Sequence, residues 1–175
     1  MLDIRPAKAS DHVEIVRLWH EGWHDAHADL APPEILAFRT LDHFAVWLKQ
    51  APDAFYVATN PDLLGFVSVK GAEIVKLYVD RHARGTGAAL DLLSFAETLL
   101  LENRIEEAEL FCTAGNIRAE KFYIRENWLL SRTFNDALWV PQGVNKKIVA
   151  PTHCFRKTLA HHHSGPGEVS QSSGY

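Results

Sequence analysis

The chain has 175 residues, 47% of them hydrophobic and 23% charged, with a formal net charge of −4. This length suits a single domain with a true core, the composition is ordinary for a globular protein, and the charge balance gives no reason to expect nucleic acid or an anionic membrane surface as a partner. Two cysteines, Cys112 and Cys154, are too few for a disulfide framework and read as buried thiols in apolar runs.

No apolar run reaches the length of a membrane span. Met1 to Arg5 carry no signal-peptide hydrophobic region, so a cytoplasmic protein is expected.

In chain order, Leu2-Asp3-Ile4-Arg5 alternates as a strand does, and Pro6 ends it. Ser10 is placed to cap a helix whose apolar stripe is Ile15, Val16, Leu18 and Trp19, and Gly22 is expected to break or bend it. Pro32-Pro33 opens a second helical region running through Phe38, Leu41, Phe44, Trp47 and Leu48 to Pro52.

An antiparallel meander follows: Phe55 to Thr59, a turn at Asn60-Pro61-Asp62, Leu63 to Lys70, a turn at Gly71, then Glu73 to Val79. From Gly87 to Glu102 the polar residues Asp91, Ser94, Thr98 and Glu102 recur at helical spacing and leave a broad apolar face. Glu109 to Cys112 reads as a buried strand and Ile117 to Arg125 as a short helix. Trp128 to Phe134 and Thr152 to Thr158 read as the last two strands, with a long loop from Asn135 to Pro151 between them. Residues 1–159 therefore form one domain, and 160–175, with His161-His162-His163, are taken as a disordered polar tail or a cloning remnant, not a metal site.

The chemistry concentrates where the fourth predicted strand meets Arg84-Gly85-Thr86-Gly87-Ala88-Ala89 and a helix begins. A helix N-terminus offers unpaired N–H groups and a partial positive charge, and glycine lets an anion approach them. The nucleoside-triphosphate loop would need Gly-Lys-Ser/Thr, and Ala88-Ala89 stand there; the dinucleotide fingerprint would need a third glycine where Leu90 stands. Arg84-x-x-Gly87-x-Ala89 instead resembles the pyrophosphate loop of the GCN5-related N-acetyltransferases. Downstream, Asn116, Ala119, Phe122, Tyr123 and Trp128 fall in the register of that family's Asn-x-x-Ala-x-x-Phe-Tyr segment, with Asn127 in place of its usual glycine. Asn is the side chain that best tolerates the left-handed conformation such a position needs.

The resemblance covers most of residues 2 to 159. It implies an acyl-CoA N-acyltransferase fold: a mixed, mostly antiparallel α/β sheet in the order β-αα-βββ-α-β-α-ββ. It also implies acetyl transfer from acetyl-CoA to a primary amine of a small molecule or peptide by direct attack. By the same resemblance Leu77, Tyr78 and Val79 bind the cofactor arm through a splayed strand. Arg84, Gly85, Thr86, Gly87, Ala88 and Ala89 hold its pyrophosphate; Asn116, Ala119 and Tyr123 contact it further along. Tyr123 is the expected general acid, because a phenol is protonated at neutral pH. Asn116 is also placed to cap the helix after it.

Glu73 is the candidate base; simple alternation puts it on one face with Val75 and Leu77. Trp23, His24 and His27, in an aromatic and histidine-rich segment, are the candidate acceptor contacts, since imidazole titrates near neutrality. A homodimer through the late strands and the Trp139 loop is expected by analogy with the family. The contrasting expectation is a module of the same fold that binds acyl-CoA without turning it over.

Overall fold

The computed structural model describes residues 2–160; the predicted tail beyond Ala160, with its three adjacent histidines, lies outside the described residues. The strands are β1 (Asp3–Pro6), β2 (Ala54–Thr59), β3 (Leu63–Lys70), β4 (Glu73–Val79), β5 (Glu107–Thr113), β6 (Leu129–Ala137) and β7 (Val149–Thr158). The helices are α1 (His12–His27), α2 (Leu41–Gln50), α3 (Ala88–Glu102) and α4 (Ile117–Arg125). The strands form one sheet in the order β1-β2-β3-β4-β5-β7-β6, and every neighbouring pair is antiparallel except β4 with β5. The element order is the predicted one. No helix among the described residues is long and apolar enough to cross a membrane.

Each face of the sheet buries its own core. On one face α1 and α2 press Ile15, Leu18, Trp19, Trp23 and Phe44 onto Val57 and Phe66, with Tyr78 packed beside them. On the other, Leu92, Leu93, Ala96 and Leu100 of α3 and Phe122 and Tyr123 of α4 meet Val67, Val69, Leu110 and Phe155. This two-layer burial is what alternating strands and amphipathic helices produce.

Several local readings change. Ser10 lies inside a 3-10 turn, Ala9–Asp11, before α1, and caps nothing by its side chain. Asp11 does the joining instead: it accepts from the Lys8 N–H at 2.7 Å and pairs with Arg5 at 2.8 Å. Gly22 neither breaks nor bends the chain out of α1. It lies against the Tyr78 ring, where an added Cβ would come within 2.6 Å of Cδ1, so glycine is needed for a close helix-to-strand approach.

The second helical region is split. A 3-10 segment, Pro33–Phe38, gives way at Arg39, and Thr40 restarts the helix by accepting from the His43 N–H. The last two strands are longer than predicted, leaving a loop of only 138–148. β6 is an edge strand with little buried surface, so its sequence lacks the clean alternation that would have announced it.

Candidate active site

β4 and β5 pair only at Glu73 with Glu109 and Ile74 with Leu110, and then diverge. β5 continues into full pairing with β7 as far as Thr113 opposite Thr152. The sheet is thus open along its centre, with Leu77, Tyr78 and Val79 on one lip and Phe111, Cys112 and Thr113 on the other. A cavity of about 870 Å³ occupies this gap, and all six residues line it.

The cavity passes through the sheet. Leu110 and Cys112 of β5 pack with Tyr123 on the α3/α4 face, so Phe111 and Thr113, which alternate with them, look toward α1 and α2. Gly22, Ala26 and His27 of α1 wall that second side.

On the α3/α4 side the turn after β4 behaves as its glycines foretold. Gly85 and Gly87 take φ of 77° and 91°, and a Cβ built on either meets nothing within 4 Å. Gly87 caps α3 in the left-handed region. The first intrahelical bond is Asp91 N–H to Gly87 carbonyl, 3.0 Å, so the N–H groups of Ala88, Ala89 and Leu90 have no partner within the helix.

Arg84 lines the cavity and is steadied by Asp25 of α1 at 3.0 Å; Asp25 also holds Arg81 at 2.7 Å. Hydrogen bonds from these guanidiniums hold the Asp25 carboxyl below its usual range. Thr86 and Ala88 are turned away from the cavity: the Thr86 hydroxyl donates to the Ala83 carbonyl at 2.6 Å, and Ala88 is buried. Three cationic side chains join Arg84 on the wall, Arg118, Lys121 and Arg125. Their spacing of three and four residues sets them along α4. Their signal in the sequence was this spacing, and the motif that overlaps it drew attention to Asn116, Ala119 and Tyr123 instead.

Asn116 caps α4 as expected, its side-chain oxygen accepting from the Ala119 N–H at 3.3 Å. Asn127 takes φ of 66°, filling the role of a glycine. The following Trp128 is fully buried and donates its indole N–H to Glu97 at 3.0 Å. Tyr123 lines the cavity with its ring against Phe155 (5.9 Å) and Trp128 (6.5 Å). Its hydroxyl has no hydrogen-bond partner among the described residues, and burial pushes its pKa up. Cys112, also on the wall, is pushed up to about 12 by burial, with Glu120 adding to the effect.

Glu73 is placed differently from the expectation. Lys76 of β4 pairs with Ser68 and Ile74 with Val69, so Val75 is an extra residue, a β-bulge. The bulge re-phases the strand. Ile74 and Leu77 both face α3, whereas Glu73 falls on the opposite face with Lys76 and Tyr78, not with Leu77. Glu73 lies outside the cavity wall, close enough to Lys76 and Asp53 to feel their charges. Burial, then Glu109, raises its pKa.

Of the three candidate acceptor contacts, one reaches the cavity. Trp23 is buried in the α1/α2 core beneath the Arg39 guanidinium, 4.9 Å from its ring. A ring nitrogen of His24 lies 2.8 Å from the Arg39 carbonyl oxygen, and His24 is not on the wall. His27 is on the wall, with Nδ1 3.1 Å from the Trp23 carbonyl oxygen, and burial pulls its pKa down to about 4, so it is neutral near pH 7.

Comparisons with known proteins bear on this arrangement. Residues 13–126, more than half of the chain, match the family model described as the acetyltransferase (GNAT) family. Among solved structures, a GCN5-related N-acetyltransferase from Rhodopseudomonas palustris is similar at a TM-score of 0.70 and 18% identity, covering 90% of this chain and 95% of that one. The PaiA N-acetyltransferase of Thermoplasma acidophilum, in complex with coenzyme A, is similar at 0.66 and 17% identity, covering 90% and 99%. YncA, a putative acetyltransferase of Salmonella typhimurium with its cofactor acetyl-CoA, is similar at 0.64 and 14% identity, covering 96% and 99%. Comparison with curated proteins returns no match.

Proposed function

This chain belongs to the GNAT family of acetyltransferases, and we propose that it carries an acetyl group from acetyl-CoA directly to an amine that enters from the α1/α2 face, with Tyr123 as general acid. The observation that carries this reading is the gap between β4 and β5, which opens both faces of the sheet onto one cavity and puts Tyr123 on its wall.

The residues present suit the cofactor. Unpaired N–H groups at the start of α3, the open space over Gly85 and Gly87, and the cations Arg84, Arg118 and Lys121 would receive its phosphates. The backbone of Leu77, Tyr78 and Val79, freed from β5, would hold its amide-bearing arm, with Asn116 and Ala119 opposite. When bound, acetyl-CoA supplies an activated thioester whose acyl group passes to the amine as the thiol departs.

The chain's own groups then do three things. Backbone N–H groups along the free lip of β4 would be placed to stabilise negative charge developing on the acetyl oxygen. The Tyr123 hydroxyl, kept protonated by burial, would donate its proton to the leaving sulfur and then recover one from solvent. Cys112, with its thiol held protonated, is a poor nucleophile, which favours direct attack by the amine over an acetyl-cysteine intermediate. The proton lost by the amine leaves to solvent.

The test is free-thiol release from acetyl-CoA across an amine panel, with Tyr123→Phe run alongside. The reading expects turnover on one amine class that is largely lost in the variant. A cofactor-induced rise in melting temperature with no turnover on any amine would identify a binding module instead.

A further inference from the structure

The cavity wall carries charge of both signs. Arg84, Arg118 and Lys121 stand on the α3/α4 side. Two carboxylate residues also line the wall: Glu126, which closes the C-terminal end of α4, and Asp136 of β6. Glu126 already has a cation, the Arg125 Nε at 3.0 Å. Asp136 has neither an ion pair nor a hydrogen bond through its carboxylate among the described residues.

Its orientation follows from its strand. Phe134 and Asp136 at the end of β6, and Leu138 just beyond it, alternate with exposed neighbours, Asn135 and Ala137. Phe134 packs edge-on against Phe111 of the cavity wall at 5.8 Å, and Leu138 packs into the α1/α2 core. Asp136 lies between them and so points the same way, into the cavity mouth on the side where His27 and Thr152 stand. The other polar groups there bring no negative charge: His27 is neutral, the Arg118 guanidinium is near enough to help depress its pKa, and Thr152 spends its hydroxyl proton on the Ala150 carbonyl at 3.1 Å.

We infer that Asp136 is the specificity-determining carboxylate of the acceptor site, and that it selects a cationic amine with no acidic group beside its reacting nitrogen. The inference rests on the acetyltransferase reading for which end of the cavity takes the acceptor. An unpaired carboxylate in a partly desolvated mouth attracts an ammonium and repels a carboxylate, and this discrimination needs no contact with the cofactor. In the ternary complex the ammonium of the acceptor replaces the solvent around Asp136.

The experiment uses 1,4-diaminobutane as probe and glycine as its acidic counterpart, with wild type, Asp136→Asn and Asp136→Ala. Binding is read by calorimetry in saturating coenzyme A, so the result does not depend on turnover. A charged hydrogen bond of ordinary strength predicts that diamine affinity falls at least about tenfold in both variants while coenzyme A affinity stays within about twofold. In steady state the same loss should fall on the KM of the diamine and spare that of acetyl-CoA, and wild type should prefer the diamine to glycine. Equal diamine affinity in wild type and Asp136→Asn would overturn the inference, as would no diamine binding by wild type or a preference for glycine. Failure of the broader reading looks different: no response of wild type to coenzyme A at all.

Discussion

The two faces of the sheet are built from different material. The α3/α4 face is largely aliphatic, and the parts of it proposed to hold the cofactor are local in sequence: one glycine turn and one Asn-led helix. The α1/α2 face is aromatic. Trp19 touches Trp47 at 4.5 Å and Phe44 at 5.1 Å, and the Arg39 guanidinium is wedged 4.9 Å from Trp23 and 5.0 Å from Trp47. Arg39 also donates to the Trp139 carbonyl at 2.9 Å, so the 138–148 loop is fastened to this core from 100 residues away. Burial lowers the Arg39 pKa to about 10, still charged near pH 7, with cation–π contacts and carbonyls in place of a carboxylate. A site made of backbone and short motifs can be shared across a family; a site made by long-range packing belongs to one chain.

If that division holds, changes on the two faces should fail in different ways. The largest effect is expected at Gly87→Glu, which puts a carboxylate and a strained left-handed residue at the mouth of the proposed anion site. The thermal shift caused by acetyl-CoA should disappear, a loss of at least about a hundredfold in affinity given that like charge replaces an open anion site. A preserved shift would remove the glycine turn from the cofactor site.

Tyr123→Phe comes next. It should lower kcat by about 10²-fold or more, the usual range for a lost general acid, with the acetyl-CoA thermal shift nearly intact. A variant with wild-type kcat would leave Tyr123 a packing residue only.

Trp19→Ala tests the other face. Deleting a fully buried indole should cost about 3–5 kcal/mol of stability in chemical denaturation, while the residual folded fraction keeps its affinity for coenzyme A. A matching loss of affinity would mean that the two faces are not separable.

The smallest effect is expected at His27. Its folded pKa is about 4 against an ordinary 6.5. Between those values the unfolded chain binds a proton that the folded one refuses, so wild-type stability should fall as pH drops from about 6.5 toward 4. His27→Gln should flatten that part of the melting-temperature profile. Parallel profiles would show that the imidazole is not desolvated as described.

What the sequence made legible follows the same division. Gly87 and Asn127 stand where the backbone must turn left-handed, and Asn116 where a helix must start, so each declared itself through its residue type. The order of elements was likewise readable from periodicity and turns. Glu73 was misplaced because the bulge at Val75 depends on how β4 pairs with β3, which no local pattern records. Trp23 and His24 were read as candidate acceptor contacts because their segment is rich in aromatics and histidines; the packing of Arg39 against them is what shows that they face the α1/α2 core. Asp136 was hidden in a stretch read as loop, since an edge strand needs no apolar alternation to form.

The gap between β4 and β5 also bears on how this protein avoids sticking to itself. An unpaired strand edge is an invitation to a foreign strand, and a seven-stranded sheet with a central gap has more than the usual two. The outer ones are blunted in familiar ways: β1 has four residues and ends in Pro6, and β6 is bulged between Leu130 and Arg132 and carries charge there. The inner edge is flanked by residues of α1 on one side and of α4 on the other, which line the cavity along it. On the reading proposed above, those main-chain donors and acceptors would serve a slender, extended molecule, a form of recognition in which a ligand takes the place of a strand.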